Sequence, residues 1–390
     1  MKILSVVGAR PNFMKIAPFV RAIESARRGP PAACLQHVLV HTGQHYAPDL
    51  SAGFFEQLGI PAPDVNLGVG SGPHGYQIGR TMIEFEPVLL ELRPDWVVVV
   101  GDVNATAACS IVARKHGVAV AHIEAGLRSF DWEMPEEINR VITDRVSNLL
   151  FTTDHTADQN LVREGVPAES IVRVGNVMID TLEHERESAA GMDVGGIVRR
   201  YAVSREHADA HESALRSGAY SVLTLHRPAN VDAMESWQPL IAVLCEVAAE
   251  LPMVFPIHPR TRLRLEEFGL WESFSRNRNV VATAPLGYRE MLRLIMGARI
   301  VLTDSGGLQE ETLVLGKPCL TLRWNTERPI TLVENGGTNR LAGNDPALIR
   351  RGFRDALAKP CEPARPALWD GHAATRIVTE ILRRSRPLAP

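Results

Sequence analysis

Residues 300–322, IVLTDSGGLQEETLVLGKPCLTL, leave few folds open. Ile300–Thr303 is a β-branched apolar run without alternation, as a parallel strand covered on both faces requires. Asp304-Ser305-Gly306-Gly307 reads as a tight turn, and a helix is predicted from about Leu308 to Leu315. Gly316-Lys317-Pro318 stops it before a second strand at Cys319–Leu322. Two parallel strands joined through a helix need a crossover that lays the helix on the sheet. The turn also aims backbone N–H groups and the positive end of a helix at one point above the strand, which suits a phosphate. Gly306 and Gly307 permit close approach of a ligand. Glu310 and Glu311, one turn in, are placed to accept hydrogen bonds from ribose hydroxyls. An ordinary βα turn with helix-capping glutamates would carry the same residues.

The rhythm recurs along the chain. Lys2–Val7, His37–His41, Trp96–Val100, Val118–Ile123, Leu149–Thr152 and Ile171–Val174 read as buried strands alternating with helices. A polar, weakly periodic stretch, Val177–Tyr220, reads as a helical crossover between domains. Strands restart at Ser221–Leu225, Met253–Ile257 and Val280–Ala282, and the 300–322 unit follows. The tail, Ala373–Arg384, is amphipathic and long enough to pack as a final helix. A chain of 390 residues has room for two such α/β, doubly wound, Rossmann-like domains. Their expected extents are 1–178 and 179–372.

Composition excludes several classes. Apolar residues at 45% rule out disorder, and a net charge of −3 offers no field for nucleic acid. An acidic substrate must then be held by a local cluster of cations. Five dispersed cysteines without a CxxC pair argue for a reducing compartment and against a zinc site or disulfide framework. No apolar run reaches membrane-spanning length, and Ile3–Val7 is too short for a signal h-region, so a cytoplasmic protein without membrane partners is expected. Gly70-Ser71-Gly72-Pro73-His74-Gly75 matches the dinucleotide fingerprint in form only. No apolar strand precedes it, so neither NAD nor any other cofactor is expected.

Ligands of open α/β sheets sit beyond the carboxyl ends of the strands. Arg10 and Lys15 follow the first strand, Asp102 ends the third, and Glu124 ends the fourth. Glu136 starts a helix whose first-turn Pro135 is tolerated there. Asn104 is placed to cap the helix that runs to His116. Any one of these charges has an ordinary surface or capping role. Three carboxylates beside two cations fit acid/base machinery better, because like charges held close keep one proton available near neutral pH. In the second half His226 also falls at a strand end, whereas His258 reads as structural. Arg328 follows the last strong strand, within reach of a phosphate or carboxylate. These features suggest a nucleotide-sugar enzyme.

The chain strongly resembles the non-hydrolysing UDP-N-acetylglucosamine 2-epimerases. The resemblance covers nearly the whole length and rests on VGARPNFMKIAP, HTGQHY, GDVNATAA, HIEAGLRS, MPEEINRVITD, LHRPAN, TDSGGLQEE and TERPI, in that order. It implies a fold of the glycosyltransferase-B type, with the active site in the interdomain cleft and the final helix (373–390) completing the first domain. It implies C2 epimerisation of UDP-N-acetylglucosamine to UDP-N-acetylmannosamine through anti elimination of UDP, for surface polysaccharide precursors, by a homodimer. Carried over by motif, Asp102, Glu124, Glu136 and His226 would be catalytic. Arg10 and Lys15 would bind the diphosphate or sugar side, and Arg140 would orient the acids. Ser305, Gly306 and Gly307 would hold the phosphates, Glu311 the ribose, Arg328 the diphosphate region, and Leu286 and Met291 the uracil through backbone. Two departures stand out. The GSGPHGYQ loop is similar to the branch without activation by a second UDP-sugar, although Gln44 and His45 are present. The HRPAN variant leaves open a 2,3-diacetamido sugar nucleotide; a UDP-sugar-dependent glycosyltransferase is the further alternative.

Overall fold

A computed structural model describes residues 1–8, 10–29, 34–43, 58–359 and 361–385, with Arg10 and Pro11 described by backbone alone. The Arg10 side chain, Gln44 and His45 therefore lie outside what is described. The chain divides into two compact units, Met1–Thr181 with Pro366–Pro390, and Leu182–Arg365.

The first unit is built on β1 (Lys2–Val7), β2 (Gln36–His41), β3 (Val65–Asn66), β4 (Trp96–Val100), β5 (Ala119–Ala125), β6 (Leu149–Thr152) and β7 (Ile171–Arg173). They form one parallel sheet in the order β3-β2-β1-β4-β5-β6-β7, so the order reverses between β1 and β4. Val97, Val98, Val99 and Val100 are all buried, as a strand covered on both faces requires. The second unit repeats the plan. It has β8 (Ser221–Thr224), β9 (Met253–Pro256), β10 (Val280–Thr283), β11 (Ile300–Thr303), β12 (Cys319–Thr321) and β13 (Asn339–Leu341). Their order is β10-β9-β8-β11-β12-β13, reversed between β8 and β11. Both expected doubly wound halves are present.

Several local expectations need correction. The helix after β11 begins at Gly306, not Leu308, with Ser305 as its N-cap, so both glycines lie in the helix's first turn. It does end at Gly316, in the left-handed conformation. Asn104 does not cap its helix. Val103 is the N-cap, and the Asn104 side chain turns to Gln77 and His74 on the neighbouring helix His74–Leu92. Residues 177–220 are more than a crossover. Helix Val194–Tyr201 buries Val194, Ile197 and Val198 in a core shared with Val222, Val254 and Val301 of the second sheet. The strands β3 and β13 were not read from sequence: β3 has two residues, and β13 (Asn339-Arg340-Leu341) has no apolar run. Helix Pro346–Ala358 was missed too, although Asp345 caps it and Pro346 stands at its first position.

The final helix, Ala373–Arg384, packs within the first unit against helix Arg10–Arg27 and buries Ala374, Ile377, Val378 and Ile381. Its first N–H groups, on Ala373 and Ala374, donate to the Asp180 carboxylate at 3.0 and 2.7 Å. Burial lifts the Asp180 carboxyl from 3.8 to about 6, against the pull of those two N–H groups. Over that interval the folded protein keeps a proton that the unfolded chain has lost, so this carboxyl's contribution to stability falls as pH rises. Asp180→Asn should therefore gain thermal midpoint relative to the parent between pH 5 and pH 8. A difference unchanged with pH would refute this account of the anchor.

Candidate active site

In the first unit the candidate residues collect beyond β1, β4 and β5, around the reversal in strand order. Glu124 does not simply follow β5, as expected, but sits within it. The pairing register with β6 shifts between Ile123 and Ala125, and Glu124 adopts a left-handed φ of 72°. A bulge of this kind re-aims a side chain, and a non-glycine residue in that region carries strain. The redirected carboxylate forms a buried ion pair with Lys15 from the helix after β1. Gly101, at the end of β4, lies against this pair with φ 68°. A Cβ there would stand 3.0 Å from Lys15 Nζ and 3.3 Å from Glu124 Oε2. Asp102 is the next residue along the chain.

Asp102 accepts from Arg140 Nη2 at 2.6 Å and Nε at 3.0 Å, both on Oδ2, while its side chain stays 22% exposed. Arg140 donates through Nη1 to Glu137 Oε2 at 2.7 Å. Asn139 of the same helix holds the Asp102 carbonyl at 2.9 Å. Glu136 lies half-buried in the first turn of this helix, Pro135–Val146, where the dipole favours a carboxylate. Two network members escaped the sequence reading. Glu137 was passed over for its neighbour, although its i,i+3 spacing to Arg140 is a visible signal. His122 is fully buried in β5, with Nδ1 2.6 Å from Asp144 Oδ1 and Nε2 2.8 Å from the Gly101 carbonyl oxygen. Asp144 also pairs with Arg128 at 2.7 Å, and these contacts hold its carboxyl below the ordinary value despite burial.

In the second unit His226 follows β8 and Asp304 follows β11, the two strands at its reversal point. The buried Asp304 carboxylate accepts from the backbone N–H of His226 at 2.9 Å and of Arg227 at 2.8 Å. It also faces His226 Nδ1 at 2.8 Å. Burial alone would raise this carboxyl, but His226 and the N–H donors hold it at about 2. The imidazole is fixed by one edge, with its Nε2 edge turned away from Asp304. His258 caps the helix Pro259–Glu267, its Nδ1 accepting from the Arg260 N–H.

Ser305, Gly306 and Gly307 stand at the N-terminus of the ten-residue helix after β11. Arg328 is buried beside them. Its guanidinium pairs with Glu310 at 2.8 Å and with Glu327, and a Cβ on Gly306 would lie 2.5 Å from Arg328 Nη1. The close approach of backbone that Gly306 permits is therefore made to the Glu327–Arg328 ion pair. Glu311 is buried and accepts from the Tyr288 hydroxyl at 2.9 Å. Burial lifts its carboxyl to about 7, against that hydrogen bond. Leu286 is buried in the core and Met291 packs against it, which leaves the backbone as what this segment offers a ligand.

Comparison with known proteins converges on one family. A family model described as UDP-N-acetylglucosamine 2-epimerase matches residues 31–382. The chain is 40% identical over 381 residues to the UDP-N-acetylglucosamine 2-epimerase of Methanocaldococcus jannaschii, covering 97% of this chain and 98% of that one. It is 39% identical over 380 residues to the UDP-2,3-diacetamido-2,3-dideoxy-D-glucuronate 2-epimerase of Pseudomonas aeruginosa, with 97% and 98% covered. A crystal structure of the Methanocaldococcus jannaschii UDP-GlcNAc 2-epimerase in complex with UDP-GlcNAc and UDP superposes with a TM-score of 0.87 at 39% identity, over 98% of this chain and 100% of that one. The fold is thus α/β with two Rossmann-like units, glycosyltransferase-B-like. With its acids and its His–Asp pair set at the strand-order reversals of that fold, the chain belongs to the UDP-N-acetylglucosamine 2-epimerase family, a family of isomerases.

Proposed function

We propose that this protein interconverts UDP-N-acetylglucosamine and UDP-N-acetylmannosamine by anti elimination of UDP across C1–C2 and re-addition with C2 inverted, as a homodimer supplying surface polysaccharide precursors. The observation that carries this reading is the pair of supported carboxylates, Asp102 on Arg140 just after β4 and Glu124 on Lys15 in β5, with Gly101, the residue before Asp102, lying against the Glu124–Lys15 pair. The C2 proton of the sugar is not activated by a carbonyl. Its removal needs a base fixed near it and a leaving group whose charge is already neutralised. Asp102, Glu124 and Glu136 supply carboxylates for proton removal and return. Arg328, Lys15, Arg10 and the N-terminus of the helix after β11 suit a departing diphosphate. His226, oriented by Asp304, completes the catalytic set.

The Pseudomonas aeruginosa relative, nearly as similar, supports a second reading in which the sugar carries a 2,3-diacetamido pattern. Both substrates undergo the same C2 inversion, so a comparison of kcat/KM on the two UDP-sugars separates them.

Incubation with UDP-N-acetylglucosamine in D2O, followed by proton NMR, should yield UDP-N-acetylmannosamine carrying deuterium at C2 with no acceptor added. Free sugar, an obligatory acceptor, or a C2 proton that survives turnover would reject the mechanism. Asp102→Asn should lose turnover by at least about 100-fold, since it removes a positioned base, while still binding UDP. Asp304→Asn tests the support of His226. With the carboxylate in place the ring's hydrogen belongs on Nδ1. The amide presents N–H there instead, so the imidazole should switch to the Nε2–H tautomer in 15N-histidine spectra. An unchanged tautomer would sink this role for Asp304.

A further inference from the structure

Glu137 makes contacts out of keeping with a surface glutamate in a first helical turn. It is 1% exposed. Its Oε2 accepts from the Ser129 N–H at 3.0 Å, the Ser129 hydroxyl at 3.1 Å and Arg140 Nη1 at 2.7 Å, and its Oε1 accepts from the Phe130 N–H at 2.9 Å. A glutamate at the third helical position usually reaches back to its own N-cap. This one reaches past the N-cap Met134 to the loop that leaves β5. There Phe130 is held at φ 58°, a conformation that a bulky residue keeps only when its surroundings enforce it.

We propose that Glu137 is a positioning residue for Asp102, acting through Arg140. The proposal rests on the reading of Asp102 as an acid/base group. The guanidinium is planar, and here it is held at both ends: Nη1 on Glu137, Nε and Nη2 on Asp102 Oδ2. Turning Arg140 toward another rotamer would break all three bonds. Asp102 Oδ2 is thus fixed, and the partly exposed remainder of the carboxylate is aimed by default. The helix that carries Glu137 and Arg140 also holds the Asp102 main chain through Asn139. One cation between two carboxylates, almost wholly out of water, is poor value as a stabilising device, because desolvation offsets most of the attraction. It is well suited to fixing a direction.

Glu137→Gln keeps the shape but replaces one acceptor oxygen with an N–H donor group, so either Arg140 or the loop loses its partner. The expected result is a fall in kcat of about 30- to 100-fold, the scale of an ångström-level misplacement of a reacting group, with KM and UDP affinity within about twofold of the parent. Arg140→Lys should cost a similar factor. The double variant should cost no more than the larger single loss, because both substitutions cut one chain of contacts. A role confined to folding would instead give multiplicative losses, or a lowered thermal midpoint with kcat of the folded fraction unchanged, and either outcome overturns the proposal. Should Glu137→Gln not fold, Glu137→Asp, which keeps the charge one methylene short, should show a smaller kcat loss, again at unchanged UDP affinity. Parental kcat in that variant also overturns it. If Asp102→Asn itself turns over normally, the acid/base reading of Asp102 fails, a result distinct from any outcome at Glu137.

Discussion

A charge taken out of water must find a partner or lose its charge, and the functional half of each unit follows from that constraint. Glu124 is buried with Lys15, Glu137 with Arg140, Asp304 with His226, and Glu310 and Glu327 with Arg328. None of these pairs is a strong argument for stability, since apolar side chains of like volume would pack as well. What they provide is direction. A carboxylate whose lone pairs are occupied on known sides presents the remaining side to whatever binds. Glu311 shows the alternative outcome. The Tyr288 hydroxyl that it accepts from is neutral, and burial moves its carboxyl up to about 7.

The sheets decide where such pairs are tolerated. Strands covered on both faces offer no place for a charge along their length, so polar groups are displaced to the ends. At a reversal of strand order the neighbouring crossovers diverge to opposite faces and leave those ends open. β1 and β4 in the first unit, and β8 and β11 in the second, are these neighbours. Asp102, His226 and Asp304 come within two residues of those strands' ends, and Lys15 lies in the helix that follows β1. Glu124 is the exception that tests the rule. It lies inside a strand, and the chain accommodates it only through a bulge and a left-handed backbone that turns the carboxylate back toward Lys15.

Much of this was legible in the residues. Apolar runs ending in short polar motifs identified most of the strands, because a buried parallel strand has no polar face to disguise it. Asp102, Glu124 and His226 are candidates by the same logic, as polar groups at strand ends, and Glu136 as a carboxylate at a helix start. What escaped lacked a one-dimensional signal. Asn104 was assigned as a cap because a cap is the local use of asparagine, yet three-dimensional neighbours, Gln77 and His74, compete successfully for its amide. The bulge at Glu124 depends on pairing with β6, which no local pattern reports. His122 reads as one polar residue in an apolar strand, and only its contacts to Asp144 and Gly101 show why it is tolerated there. Glu137 and Glu136 are adjacent and identical in type. Only burial tells them apart.

If Glu311 holds the ribose, as the family resemblance implies, its protonation would couple nucleotide binding to pH through the same constraint. The Tyr288 hydroxyl gives Oε1 one hydrogen bond, which lowers the carboxyl's affinity for a proton but does not offset burial. Ribose hydroxyls donating to this carboxylate would favour its ionised form over the protonated one. Binding must then release part of a proton near neutral pH, and nucleotide affinity must rise with pH through about 7. A surface glutamate would be ionised throughout that range and would show no such coupling. The burial that makes the position costly is therefore also what would make the grip on the nucleotide respond to pH.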